Sequence, residues 1–460
     1  MSAPDSSSES ITKGKRYSAN KDLGWESLET GSKFGPEEKE EEQREGGQQA
    51  WLTVAGSSLI YFATLGTTNS FGFFQNYYEH TFLQGVPAST ISFVGTLQIT
   101  LTNVLAAPAG ALFDCYGLKA LYMFSAISCS GAFLGLSFIH SGSLSQIFLV
   151  QGVLLGLANA CGSQPALVVV GQHFEHRRAL VMGIVAAAGS VGGVCFPALL
   201  SKLADEKHIG YAWSLRVVSG IILLCYIAAI LISSTNMTKQ PSISWKRLVD
   251  LRGFRDSRYS VLAIGAFIAM LGQFIPYYYI STYVQATNPT SSAKDYLLPL
   301  MNASSIIGRI LGGLAADSTG AGNAVYPMTI LSGLLCLGTW AVTSSIPLLV
   351  IFVLLYGFCS GVFVAVLPVI VAQITPADKL GGRIGAFYMV SAVAQLVGSP
   401  IGGALIQGRS GLGSDQAQGY LGLIVFADGI LTTQGTTLLV GGIVILISRL
   451  LHDRNLRSRY

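Results

Sequence analysis

Residues 347–374 read PLLVIFVLLYGFCSGVFVAVLPVIVAQI, an apolar run without one charged side chain. About 20 mostly apolar residues in a helix cross the hydrocarbon layer of a bilayer, so this run is long enough to span it. Eleven more runs of the same kind lie outward from it. They fall near 51–74, 90–113, 118–139, 147–170, 179–200, 213–234, 260–284, 296–316, 324–344, 384–407 and 421–448. Lipid offers no water to satisfy backbone N–H and C=O groups, so spans of this length are helices; barrel strands would be half as long and would alternate. The composition agrees. Of 460 residues, 51% are hydrophobic and 11% charged, against about 25% charged in a water-soluble domain, which excludes an ordinary soluble globular protein.

The charge is unevenly spread. Residues 1–50 hold 11 acidic and 7 basic side chains, a net of −4 that leaves +8 on the rest of the +4 chain. This stretch includes Pro36–Glu42 (PEEKEEE) and has few side chains to bury, so it reads as a disordered cytosolic tail rather than a signal peptide. The expected division is tail 1–50, a first six-helix half 51–235, a cytosolic linker 236–258, a second half 259–449 and a tail 450–460. Outside the first 50 residues, loops on the N-terminal side of the bilayer carry fifteen Lys and Arg and the other side four. Basic loops stay cytoplasmic, so both termini are expected inside a multi-pass protein of the cell membrane. The seven cysteines show no metal-ligand spacing and read as packing residues.

One internal offset recurs. Gly110, Asp114 and Gly117 reappear 203 residues later as Gly313, Asp317 and Gly320, and Pro165 and Pro197 as Pro368 and Pro400. Two related halves about an axis along the membrane normal form one of the standard transporter designs, with the substrate path between them near mid-membrane.

The segment Gly110–Lys119 (GALFDCYGLK) resembles the signature between the second and third helices of the major facilitator superfamily. Glu45-Gly46-Gly47 with Trp51, the stretch His173–Pro197, Gly308-Arg309 with Gly312-Gly313 and Asp317, and Leu367–Gly403 resemble the monocarboxylate-porter-like members in their fungal form. The likeness covers roughly residues 45–450. It implies an all-α membrane protein with twelve transmembrane helices in two pseudo-symmetric six-helix halves. It also implies alternating access to a small organic solute. Two departures qualify it. Animal monocarboxylate carriers have a lysine late in helix one and an aspartate one turn before the helix-eight arginine; here those positions hold Asn69 and Ser305, which removes the groups implicated in lactate–proton coupling. Cys115 stands where the superfamily usually has arginine, so one charge pair of that gate is missing.

Charge at mid-membrane costs about 2.5–3.5 kcal/mol per residue on insertion scales, which draws attention to Arg309 among Ile306, Ile307, Ile310 and Leu311. A guanidinium there offers a bidentate site to a carboxylate; the competing reading pairs it within the bundle. The polar candidates for substrate contact are Asn69, Gln98, Asn103, Asn159, Gln164, Gln273, Asn302 and Gln395, each of which also suits an interhelical hydrogen bond. Tyr277 joins them, with an interfacial aromatic belt as the alternative. Asp114, Gly117, Asp317 and Arg383 are the gating candidates, the aspartates as caps on neighbouring helix N-termini. Asp428 is the candidate for proton coupling.

No Walker A sequence and no metal motif is present, so neither ATP-driven pumping by this chain nor a metal cofactor is expected. The expected function is secondary active transport, as efflux of an organic acid or secondary metabolite. Uptake of a monocarboxylate or other nutrient is the first alternative, and a non-transporting sensor or scaffold the second. An enzyme is not expected. The partners are the substrate, the lipid bilayer and protons if transport is coupled; no nucleic-acid partner is expected, and the chain is read as a monomer.

Overall fold

The computed structural model describes residues 47–140, 142–174, 177–204, 209–235, 251–288, 290–340, 345–375, 380–410 and 434–452. They form twelve helical spans. The first six are α1 (Gln48–Tyr77), α2 (Ala88–Val104, resuming as Ala106–Tyr116), α3 (Leu118–Leu136), α4 (Leu144–His173), α5 (Arg178–Leu203) and α6 (Tyr211–Ile232). The second six are α7 (Ser257–Gln273, resuming as Ile275–Thr287), α8 (Ala293–Thr319), α9 (Ala321–Trp340), α10 (Ile346–Gln373), α11 (Leu380–Ser410) and α12 (Gln434–His452). Nine of these are long and apolar enough to cross a membrane, the bent α2 is a tenth, and the apolar parts of α11 and α12 are shorter.

The sequence boundaries need three corrections. The last span was expected over 421–448; the described helix is Gln434–His452, and 411–433 lie outside the described residues. The linker was expected to reach 258, but Leu251–Arg255 already form a 3₁₀ turn and α7 starts at Ser257, where the Asp256 carboxylate caps Arg258 N–H at 3.0 Å. Span two is not straight. It bends by 43° at Leu105, three residues before Pro108, which sits in the first turn of the resumed helix where its missing N–H leaves nothing unsatisfied.

The two sets of six repeat one packing scheme. α1 lies on α5 and α6, α2 on α4, and α3 on α4 and α6; likewise α7 lies on α11 and α12, α8 on α10, and α9 on α10 and α12. The halves meet where α5 runs along α8 and α2 along α11, two contacts that exchange under the same relation. The recurring glycines have a local cause. Gly117 and Gly320 link α2 to α3 and α8 to α9 at φ of 84° and 98°, a conformation that side chains disfavour.

The outer surface inverts the soluble pattern. Leu231 is 77% and Ile127 73% exposed, while Thr, Ser, Asn and Gln side chains are buried. Lipid is as apolar as leucine, so an apolar exterior carries no penalty and the helices are held by close packing and interior hydrogen bonds. Serines and threonines such as Thr64, Thr67 and Ser70 satisfy themselves on carbonyls one turn back.

Candidate functional site

Two neighbouring chambers lie where the halves face each other. The larger spans about 940 Å³ and the smaller about 520 Å³, counted with the space that opens to solvent. Both are lined by the same six side chains, Thr68, Asn69, Ile99, Phe274, Arg309 and Val364, which form the neck between them. The larger chamber extends to Met182, Pro368 and Tyr388, towards the face where α5 starts. The smaller extends to Gly72 and Tyr278, towards the face where α1 ends.

Helix breaks help to build the neck. α1 is interrupted at Ser70 and α7 at Phe274, equivalent places in the two halves, and Asn69 and Gln273 immediately precede them. Pro276, in the first turn of the resumed α7, accounts for the second break.

Arg309 is buried at the neck. Its Nη1 donates to the Ala186 carbonyl of α5, while its Nε has no partner among the described residues. Around it, Gln273 Nε2 is also buried without a partner among the described residues. Tyr277 and Ser360 share a hydrogen bond of 2.7 Å, and the Tyr356 hydroxyl donates to the Gln273 carbonyl at 2.8 Å. No Asp or Glu is found among the described residues that line either chamber. The cavity therefore combines a buried cation, neutral amides and hydroxyls, and an apolar wall that includes Leu65, Leu167, Met182 and Met270. Chemically, that lining suits an amphipathic anion.

The sequence candidates separate in space. Arg309 and Asn69 line both chambers, Gln164 and Gln395 the larger, and Gln273, Tyr277 and Asn302 the smaller. Asn159 lines neither. It is fully buried, donating to Thr68 Oγ1 at 3.0 Å and accepting from the Cys129 thiol at 3.4 Å. Asn103 also lines the larger chamber, whereas Gln98 is buried and donates to Thr68 Oγ1 at 3.2 Å. Tyr61, Ser360 and Tyr388 line the cavity but were not among the site candidates; a hydroxyl-bearing side chain deep within an apolar run is the signal that would have found them. Arg216 lies over the rings of Trp213 and Phe138, at 4.7 and 4.9 Å, at the beginning of α6.

At the face where α5 starts, Asp317 of α8 reaches across the halves. Its two carboxylate oxygens accept from the Ala179 and Leu180 N–H groups, at 3.1 and 2.9 Å, so that an anion sits on the N-terminus of α5. Backbones meet closely beside it: a Cβ on Gly313 would lie 2.7 Å from the Ala179 carbonyl oxygen. Arg383, at the start of α11, packs over Gly253 and its carbonyl accepts from the Tyr259 hydroxyl at 2.7 Å. The side chain of Asp114 and the whole of Asp428 lie outside the described residues.

The family model of the Major Facilitator Superfamily matches residues 50–331 and 262–454. The chain belongs to the Major Facilitator Superfamily. Among relatives of this superfamily transporter, the MFS transporter asaE of Aspergillus flavus is 32% identical over 391 residues, covering 84% of this chain and 86% of the relative. The agnestins efflux protein AgnL12 of Paecilomyces divaricatus is 32% identical, covering 87% and 88%. The crystal structure of the human organic anion transporter MFSD10 superposes with a TM-score of 0.63 over 88% of this chain and 97% of that one. At 15% identity that superposition speaks to the fold alone. The departures at Asn69, Cys115 and Ser305 do not disturb the family's architecture: Asn69 and Ser305 sit within α1 and α8 of the shared fold.

Proposed function

We propose that this transporter exports an organic acid or acidic secondary metabolite, holding the anionic head at Arg309 and the apolar body against the wall of the larger chamber. The observation that carries the reading is the buried Arg309 guanidinium, whose Nε has no partner and whose chambers hold no carboxylate among the described lining residues. A charge-assisted hydrogen bond to a substrate anion is worth about 1.5–3 kcal/mol and compensates a buried cation that is otherwise costly. The relative known as an efflux protein for agnestins supports the direction. The Gly46-Gly47 and Trp51 pattern supports a place beside the monocarboxylate-porter-like members, while Asn69 and Ser305 in place of their lysine and aspartate argue against lactate–proton symport.

In this reading the face where α5 starts is cytoplasmic, in keeping with the bias of Lys and Arg, and the Asp317 clamp on α5 releases when that face opens. The segments 1–50 and 236–256 serve as cytosolic tail and linker, the protein acts as a monomer in the cell membrane, and Asp428 is the residue to examine if protons are coupled. The test is export of a radiolabelled aryl carboxylate into inside-out vesicles. Arg309→Gln lowers the rate at least tenfold and Arg309→Lys restores part of it. Undiminished transport by Arg309→Gln at equal protein level would remove Arg309 from the mechanism.

A further inference from the structure

The second seam between the halves carries a polar contact inside the cavity. On α2, Asn103 Nδ2 donates to Gln395 Oε1 of α11 at 2.7 Å, and Gln395 Nε2 in turn donates to the thioether of Met270 on α7 at 3.3 Å. All three side chains line the larger chamber, and Gln395 is 93% buried, 7% of its surface remaining accessible. A thioether is a weak acceptor, so the amide of Gln395 is poorly satisfied. Asn103 Oδ1 accepts no hydrogen bond among the described residues. A partly buried amide pair thus faces the cavity with one free acceptor and one donor that has traded water for sulfur, a combination whose unmet hydrogen-bonding capacity favours a better partner.

We infer that Asn103 and Gln395 form a second recognition point, which takes an amide or lactam group of the transported anion. The group's N–H donates to Asn103 Oδ1, and its carbonyl accepts from Gln395 Nε2 in place of Met270. Because the pair spans the halves, a substrate bound there contacts both at once. Such a contact supplies a discrimination that the apolar wall cannot: a site built to hydrogen-bond a polar group rejects an analogue lacking it far more strongly than a greasy pocket rejects a changed methylene.

The inference rests on the proposed transport of an organic anion, and the experiment separates the two. The probes are N-benzoylglycine and its longer homologues, each matched with the ω-phenylalkanoate of equal chain length, in which methylenes replace the amide. Protection of the purified full-length protein against thermal unfolding is titrated with each probe. In wild type, at least one amide acid should protect at a concentration about tenfold below that of its matched partner. Asn103→Leu and Gln395→Leu, which replace each amide with an apolar side chain, should bring the two members of every matched pair to protection at the same concentration within about twofold. Equal protection by every matched pair, no protection by any probe, or a preference that survives in Gln395→Leu overturns the inference. Arg309→Gln should weaken both members of a pair equally; if it weakens neither while the amide preference persists, the anion reading has failed and the amide site stands.

Discussion

Asn159 and Asn103 are the same amide on neighbouring helices of one half, yet one is enclosed in the bundle and the other lines the cavity. Asn159 holds α4 to α1 and α3 through Thr68 and the Cys129 thiol; Asn159→Leu removes both contacts and costs about 0.5–1.5 kcal/mol, since the Thr68 hydroxyl keeps its bonds to the Thr64 carbonyl and Gln98 Nε2. The expected result is a lower midpoint in thermal unfolding of the purified protein with substrate preference intact. A change in preference without a loss of stability would put Asn159 in contact with substrate. Both positions are read from sequence as a polar residue in an apolar run, and nothing more. Which of them meets the cavity depends on the rotation of the helix about its axis, and in lipid the hydrophobic pattern that reports rotation in soluble helices is weak because both faces are apolar. Arg309 was legible for the opposite reason: full charge at mid-membrane is rare enough to be informative wherever it points.

Helices were easier to read than their interruptions. Hydropathy sums over many residues, so α1, α2 and α7 each appear as one run although each breaks near the cavity, at Ser70, Leu105 and Phe274. Two of the breaks have a proline in the following turn; Ser70 has none, and no feature of the local sequence marks it. Close approach is also an element property. A methyl on Gly183 of α5 would run into the Arg309 carbonyl oxygen of α8, a backbone atom that cannot rotate away, whereas one on Gly131 of α3 would meet nothing within 4 Å. Gly183→Ala should therefore separate α5 from α8 and destabilise by about 1–3 kcal/mol. Gly131→Ala removes a helix-weakening glycine and should be neutral or stabilising by up to about 1 kcal/mol. Thermal unfolding of the two variants side by side checks this, and equal effects would show that α5 and α8 are not packed at the limit of backbone contact.

The pairing of halves was readable because a shared aspartate and two shared prolines at one offset are hard to obtain by chance, while the direction of its motion was not, since sequence carries no contact between α5 and α8. That contact suggests how the molecule moves as a body. Asp317 fastens α8 to the N-terminus of α5, and the seam between α2 and α11 is the symmetric counterpart of that joint. If the halves rock as rigid units, loosening one seam must loosen the other, because no helix has to bend for both to part. Asp317→Ala removes the carboxylate that caps Ala179 and Leu180, and a two-state equilibrium is shifted by the free energy withdrawn from one of its states. Hydrogen exchange followed by mass spectrometry should then show faster exchange over residues 178–186 and also over residues 385–395 of α11, which Asp317 does not touch. Asp317→Asn, which keeps one acceptor oxygen, should lie between. Faster exchange confined to 178–186 would mean that the clamp merely stops α5 from fraying and does not hold the two halves together on this side of the bilayer.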